Sequence, residues 1–329
     1  MLVVAGVIVI LVMPHHQISP GKRPAELSAV PPKPMEWQPP DSNELAHSPM
    51  AELIRYGKKL IASTARYMGP RGIVGSYSNG MNCQNCHLDA GARLYGNNYS
   101  AVFSTYPKFR ERSGTVEDIY KRVNDCMQRS LNGKSLDTGS REMQAIKAYI
   151  CWLGGQVPRN TKPPGSGITD LAFPDRAADP VRGGPLYVQK CQLCHGVQGE
   201  GLPAADSMEY VYPPLWGPHS YTTGAGLFRI SRLAGYIKDN MPFGSSHAHS
   251  QLTDEEAWDL AAYVNSQPRP DRRFSRDWPD ISHKPIDHPF GPYADGFTEK
   301  QHKFGPFSPI LQVRQQQPHA GQQASAKGK

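Results

Sequence analysis

The sequence predicts a mainly α-helical protein made of two similar domains in tandem, with long loops and extended tails. Three observations predict it. The motif Cys83-Gln-Asn-Cys86-His87 returns as Cys191-Gln-Leu-Cys194-His195. Each copy opens a stretch with the same series of features. The 31 Pro and 31 Gly suggest long loops around the haem motifs and extended tails.

The CxxCH pattern is the attachment signature for c-type haem. Two thiols add across the porphyrin vinyl groups, and the adjacent histidine supplies the proximal nitrogen to iron. A lone copy could be half of a zinc site or a redox dithiol. Two copies in matching surroundings predict two covalently bound haems, held by Cys83, Cys86 and His87 and by Cys191, Cys194 and His195. The predicted architecture is therefore two cytochrome c-like haem domains in tandem. Each haem would supply much of its domain's apolar interior, which accommodates the modest hydrophobic content.

Lys and Arg number 36 against 29 Asp and Glu, a formal charge of +7. No Lys/Arg-rich block appears, so nucleic acid is not an expected partner. A diffuse positive excess favours small anions or an acidic partner.

Residues 1–28 read as a signal peptide or N-terminal anchor. The apolar run from Leu2 to Met13 is too short for a comfortable membrane span and suits a signal-peptide core. No Lys or Arg precedes it, and Ser28-Ala29 is a weak cleavage site, so membrane attachment through the N-terminus stays open. Bacterial c-type haem is attached outside the cytoplasm, so the expected location is periplasmic, soluble or N-terminally anchored. Residues 29–45 form a Pro-rich linker.

The first domain spans 46–160, with helices expected over Met50 to Tyr67, Thr115 to Arg129 and Arg141 to Leu153. Residues 161–179 are a linker. The second domain spans 180–270. Gly184 to Lys190 and Leu227 to Lys238 read as helices. The capping box Thr253-Asp-Glu-Glu256 opens a third, which ends near Gln267 before Pro268. Residues 271–329 read as a tail rich in Pro, Gly, His and Gln, poorly ordered at its end.

The halves resemble an internal duplication. Asp125-Cys126-Met127 in the first corresponds to Asp239-Asn240-Met241 in the second, and Ala148-Tyr149 to Ala262-Tyr263. A six-coordinate haem needs a distal ligand, and in the second domain Met241 is the natural candidate. A thioether opposite histidine favours ferrous iron. His219, His247 and His249 are its rivals.

In the first domain, the duplication points to Met127. Cys126 stands beside it, and an unpaired cysteine in an exported protein calls for an explanation. As a thiolate, it would bind ferric iron and lower the potential. The residues alone leave Cys126 and Met127 both open. Cys151, on an apolar helix, reads as a small buried hydrophobe. A disulfide between Cys126 and Cys151 would preclude thiolate ligation.

Tyr106-Pro-Lys-Phe-Arg-Glu-Arg112, Arg122-Val-Asn-Asp-Cys126-Met-Gln-Arg-Ser130 and Glu142-Met143 resemble the dihaem thiosulfate dehydrogenase family. So do Pro213-Pro-Leu-Trp-Gly217, Gly224-Ala-Gly226 and Asn240-Met-Pro-Phe-Gly244. The first domain also resembles sulfur-oxidising cytochromes that use a cysteine ligand. Such enzymes form or reduce tetrathionate. The resemblance implies Cys126 as distal ligand of the first haem, that haem as the active site, and Arg112, Arg122 and Ser130 around the anion pocket. Some members carry a lysine before the second-domain methionine that exchanges with it as ligand. Asn240 stands here instead, which implies a plain His195/Met241 haem.

The chemistry agrees. Joining two thiosulfates makes one sulfur–sulfur bond and releases two electrons. Both reactants are dianions, and arginine forks suit their sulfonate oxygens. Arg112 and Arg122 are equally compatible with pairing to haem propionates. A cysteine sulfur could leave iron and form a mixed sulfur adduct. Electrons would pass through the second haem to a small soluble cytochrome or other periplasmic carrier. Two other functions compete: a dihaem electron-transfer cytochrome without its own substrate, which needs Met127 as ligand, and a haem subunit of a larger sulfur-oxidising complex.

Overall fold

Each half is built on two helices that cross at a glycine. In the first half, Ala51–Ala62 crosses Arg141–Leu153. A Cβ on Gly57 would fall 2.0 Å from the Ala145 carbonyl oxygen and 2.9 Å from the Tyr149 Cβ. In the second half, Pro180–Lys190 crosses Asp254–Ser266. There, a Cβ on Gly183 would fall 2.1 Å from the Asp259 carbonyl oxygen and 2.7 Å from the Tyr263 Cβ. Only a residue without a side chain lets the backbones approach this closely. Tyr149 and Tyr263 thus occupy matching places, as the duplication predicts.

These features come from a computed structural model, which describes residues 35–316; the apolar run Leu2 to Met13 and the last residues lie outside the described part. The architecture is mainly α-helical. Among the described residues, the strands form two short antiparallel hairpins, Lys108–Arg110 with Thr115–Glu117 and Leu202–Pro203 with Tyr210–Tyr212. No described helix is long and apolar enough to cross a membrane.

One core gathers Ile54, Leu60, Met127, Met143, Ile146 and Tyr149. A second gathers Tyr187, Trp216, Tyr221, Leu233, Trp258 and Leu260. Cys86 and Leu88, at the first haem motif, pack against the second core. The Tyr236 hydroxyl donates to the Asn85 carbonyl at 2.9 Å, and Thr222 Oγ1 donates to the Arg129 carbonyl at 2.7 Å. The first CxxCH motif therefore faces the second half of the molecule.

Several elements differ from expectation. The opening helix breaks at Ser63, where φ −127° and ψ 48° leave the helical region, and Thr64–Met68 resumes it. Thr115–Glu117 is a strand, because Thr115 and Val116 pair with Arg110 and Phe109. Asp118 then accepts a bond from the Lys121 amide and starts the helix Ile119–Arg129. The second-half entry helix begins earlier, at Pro180, where Asp179 caps the first turn. Leu227 falls in a 3₁₀ turn, and the following helix is Ile230–Asn240. Arg141–Leu153 and the capping-box helix Asp254–Ser266 stand where the sequence put them.

The segment read as a tail is, over residues 271–316, a clasp. Ile286, Phe307 and Ile310 enter the second core. Asp277 pairs through both carboxylate oxygens with Arg129 at 2.6 Å. Asp287 holds Arg229 and the amide and hydroxyl of Ser231. The Trp278 amide donates to the Arg112 carbonyl at 2.7 Å.

Candidate active site

The helix Ile119–Arg129 carries the first candidate site. Arg122, Cys126 and Ser130 recur every four residues, so they share one face. That face borders a cavity whose wall also holds Cys83, Cys86 and His87, with Ile61, Val102, Ile119, Val123, Ile146 and Ile150 as its apolar lining. His87 Nδ1 meets the Asn97 carbonyl at 2.5 Å, which leaves Nε2 as the ring's coordinating atom, on the side of Cys126. Two thiols, an oriented imidazole, a facing sulfur and an apolar wall fit a c-type haem.

Electrostatics single out Cys126 among the thiols of this cavity. Burial pushes Cys83 up to about 11 and Cys86 to about 12. Cys126 is also buried, which alone would raise it. The Arg122 charge and the His87 ring outweigh burial and lower it to about 6. Arg122 Nη1 donates to Cys126 Sγ at 3.0 Å. A buried thiolate beside a guanidinium is held ready as a metal ligand or nucleophile.

Met127 borders the same cavity but is only 1% exposed and belongs to the first core. Cys151 is half-buried against that core, burial raises its thiol, and no disulfide joins it to Cys126. Ser130 caps the helix and lines the cavity.

Arg112 is placed elsewhere. It pairs with Asp125 at 2.7 Å and lines a neighbouring cavity together with Arg129. Asp125 belongs to the duplicated triplet and Arg129 to the expected helix, but neither was given a role at the site. Their signal was their position: each lies within one turn of Cys126, and a buried charge there requires partners.

The second candidate site sits in the second core. His195 is buried, its Nδ1 meets the Pro213 carbonyl at 2.8 Å, and burial lowers its pKa. Cys191 and Met241 pack against the core aromatics. Met241 follows the end of its helix, whereas Cys126 lies within one. The rivals His219, His247 and His249 are exposed, and His247 stacks on Tyr95. Asn240 is buried and donates to the Tyr95 and Tyr236 carbonyls.

Two helix-borne halves, each with a CxxCH motif and an oriented histidine, define a c-type cytochrome with two haems. A family model described as "SoxA/TsdA, cytochrome c domain" matches residues 75–155, and one described as "Cytochrome c" matches 180–268. The thiosulfate dehydrogenase of Stutzerimonas stutzeri is 35% identical over 234 residues, 71% of this chain and 73% of that protein. That of Allochromatium vinosum is 36% identical over 225 residues, 67% of this chain and 80% of that protein. A solved thiosulfate dehydrogenase (TsdBA) from Marichromatium purpuratum, in its as-isolated form, superimposes with a TM-score of 0.66 at 35% identity. The match covers 73% of this chain and 51% of that one, so this chain spans about half the length of the solved chain. The chain belongs to the thiosulfate dehydrogenase family and is an oxidoreductase carrying two c-type haems.

Proposed function

We propose that the protein interconverts thiosulfate and tetrathionate in the periplasm, at a first haem ligated by His87 and Cys126. A second haem ligated by His195 and Met241 carries the electrons onward. The observation that carries this reading is the Arg122–Cys126 contact inside the His87 cavity. It favours the thiolate form of a sulfur nucleophile, in a place where an electron carrier needs only an inert ligand.

Bound there, each haem supplies a one-electron acceptor, and two haems accept the two electrons of the reaction. The protein's own groups do the rest. Cys126 thiolate and the outer sulfur of one thiosulfate lose two electrons and join, giving a cysteine–thiosulfonate. A second thiosulfate attacks that bond, tetrathionate leaves, and Cys126 returns as thiolate. Arg122 offsets the approach of a dianion to the thiolate, and the Ser130 hydroxyl donates to a sulfonate oxygen.

Exit of the electrons suits the second motif. Leu193, between its cysteines, is 95% exposed, and Phe243, two residues after Met241, is 91% exposed. Two large exposed apolar side chains, one within the second haem motif and one beside Met241, offer a small cytochrome a contact surface. A steady-state assay of holoprotein with thiosulfate and an artificial one-electron acceptor tests the function. It should consume two acceptors per tetrathionate. No thiosulfate-dependent reduction, and no tetrathionate-dependent oxidation of the reduced protein, would refute it.

A further inference from the structure

The C-terminal clasp encloses a cavity of about 500 Å³ beside the Cys126 helix. No CxxCH cysteine and none of His87, Cys126, His195 or Met241 lines it. Six cationic side chains do: Arg112, Arg129, Arg229, Arg272, Arg273 and Lys284. Asp277 is the one lining carboxylate.

Four of the six have acid partners. Arg112 pairs with Asp125, Arg129 with Asp277, Arg229 with Asp287 and Arg273 with Asp271. Arg272 and Lys284 pair with no carboxylate among the described residues. Arg272 donates to Asn132 and to the Gly133 carbonyl. Lys284 is 4% exposed and donates only to the Phe290 and Pro292 carbonyls. Burial lowers its pKa, and the charge of Asp277 offsets that only in part. A buried lysine and a half-buried arginine, neither with a carboxylate partner among the described residues, border an open cavity and call for a mobile anion. Phe274, Trp278 and Phe290 add apolar walls. Cationic donors together with polarisable aromatic walls suit a sulfur oxoanion.

We propose that this cavity is a holding subsite for a sulfur oxoanion dianion, using Arg272 and Lys284 of the clasp, next to the Cys126 site. The inference rests on the thiosulfate–tetrathionate reading for the identity of its physiological ligand. It places part of the substrate-capturing charge in residues 271–292, beyond the two matched haem domains.

The test titrates sulfate, and then tetrathionate, into oxidised holoprotein by calorimetry. Wild type should bind sulfate saturably. Arg272→Gln should weaken that binding at least tenfold and raise KM for thiosulfate, while both haem spectra stay unchanged. Arg272→Lys should restore most of the affinity. Arg182→Gln, which removes the same charge from the exposed entry helix, should leave affinity unchanged. Lys284→Met provides a second reading should Arg272→Gln fail to fold. Equal sulfate affinity in wild type and both cavity variants would overturn the subsite, as would an equal loss in Arg182→Gln. A haem propionate as occupant would appear as a shift in haem potential without any change in sulfate binding, and it also overturns the proposal. Failure of turnover with sulfate binding intact would sink the thiosulfate reading alone.

Discussion

Arg122 and Cys126 lie one helical turn apart, and the guanidinium donates to the thiol sulfur across 3.0 Å inside the cavity that also receives His87. A helix places residues four apart on one face, so this pairing is set locally by sequence spacing. Its energetic weight comes from burial, which weakens competition from water.

Arg122→Met should lower kcat/KM for thiosulfate by about 10- to 100-fold. A charge-assisted hydrogen bond contributes about 1.5–3 kcal/mol, and each 1.4 kcal/mol is tenfold in rate. Arg122→Lys should recover only part, because an ammonium cannot reproduce the fork. Steady-state kinetics decide it, and an unchanged kcat/KM in Arg122→Met would remove Arg122 from the chemistry.

Met241→Ala should erase the low-spin signature of one haem only and lower its midpoint potential. Met127→Ala should leave both haem spectra intact and cost about 2–5 kcal/mol of stability, as a buried large-to-small change does. Absorption spectra and redox titration separate the two. A spectral change in Met127→Ala with none in Met241→Ala would invert the ligand assignment.

Asp287→Asn tests the clasp. The Asp287 carboxyl lies below the ordinary carboxylate range: burial would raise it, but the Arg229 charge and the Ser231 donors outweigh burial. A depressed carboxyl stabilises the fold above its unfolded pKa near 3.8, and that stabilisation is lost as pH falls through the lower folded value. Breaking a buried pair costs about 3–5 kcal/mol. Thermal unfolding at pH 7 should show that loss, and the gap between wild type and Asp287→Asn should close below about pH 4. An unchanged melting temperature at pH 7 would mean that the clasp adds nothing to the fold.

How much of this was legible in the sequence follows from where the information is stored. The two CxxCH motifs, the capping box at Thr253 and the helix Arg141–Leu153 are local patterns, and the structure contains each. Gly57 and Gly183 are legible only in retrospect, since a helix-crossing glycine has no mark of its own. The hairpin at Thr115 was hidden because each strand is only three residues long and a helical register could be drawn through Thr115 to Glu117. The clasp was hidden for a different reason. Its order comes from long-range pairs such as Asp277–Arg129 and Asp287–Arg229, and from scattered apolar anchors without periodicity. Composition rich in Pro and Gly suggested a loose tail, and tertiary contacts override it. Arg112 shows the same limit: the resemblance implied a place around the anion pocket, and the pairing with Asp125, which sets it in the adjoining cavity, is a tertiary contact.

The account stands or falls on the Cys126 sulfur, and turnover of Cys126→Ala holoprotein measures it most directly. With both haems still attached, tetrathionate formation should fall by on the order of 10³-fold or more, the scale of removing a nucleophile. Cys126→Met should restore a six-coordinate, low-spin first haem without restoring turnover. Near-normal thiosulfate oxidation by Cys126→Ala would contradict the mechanism.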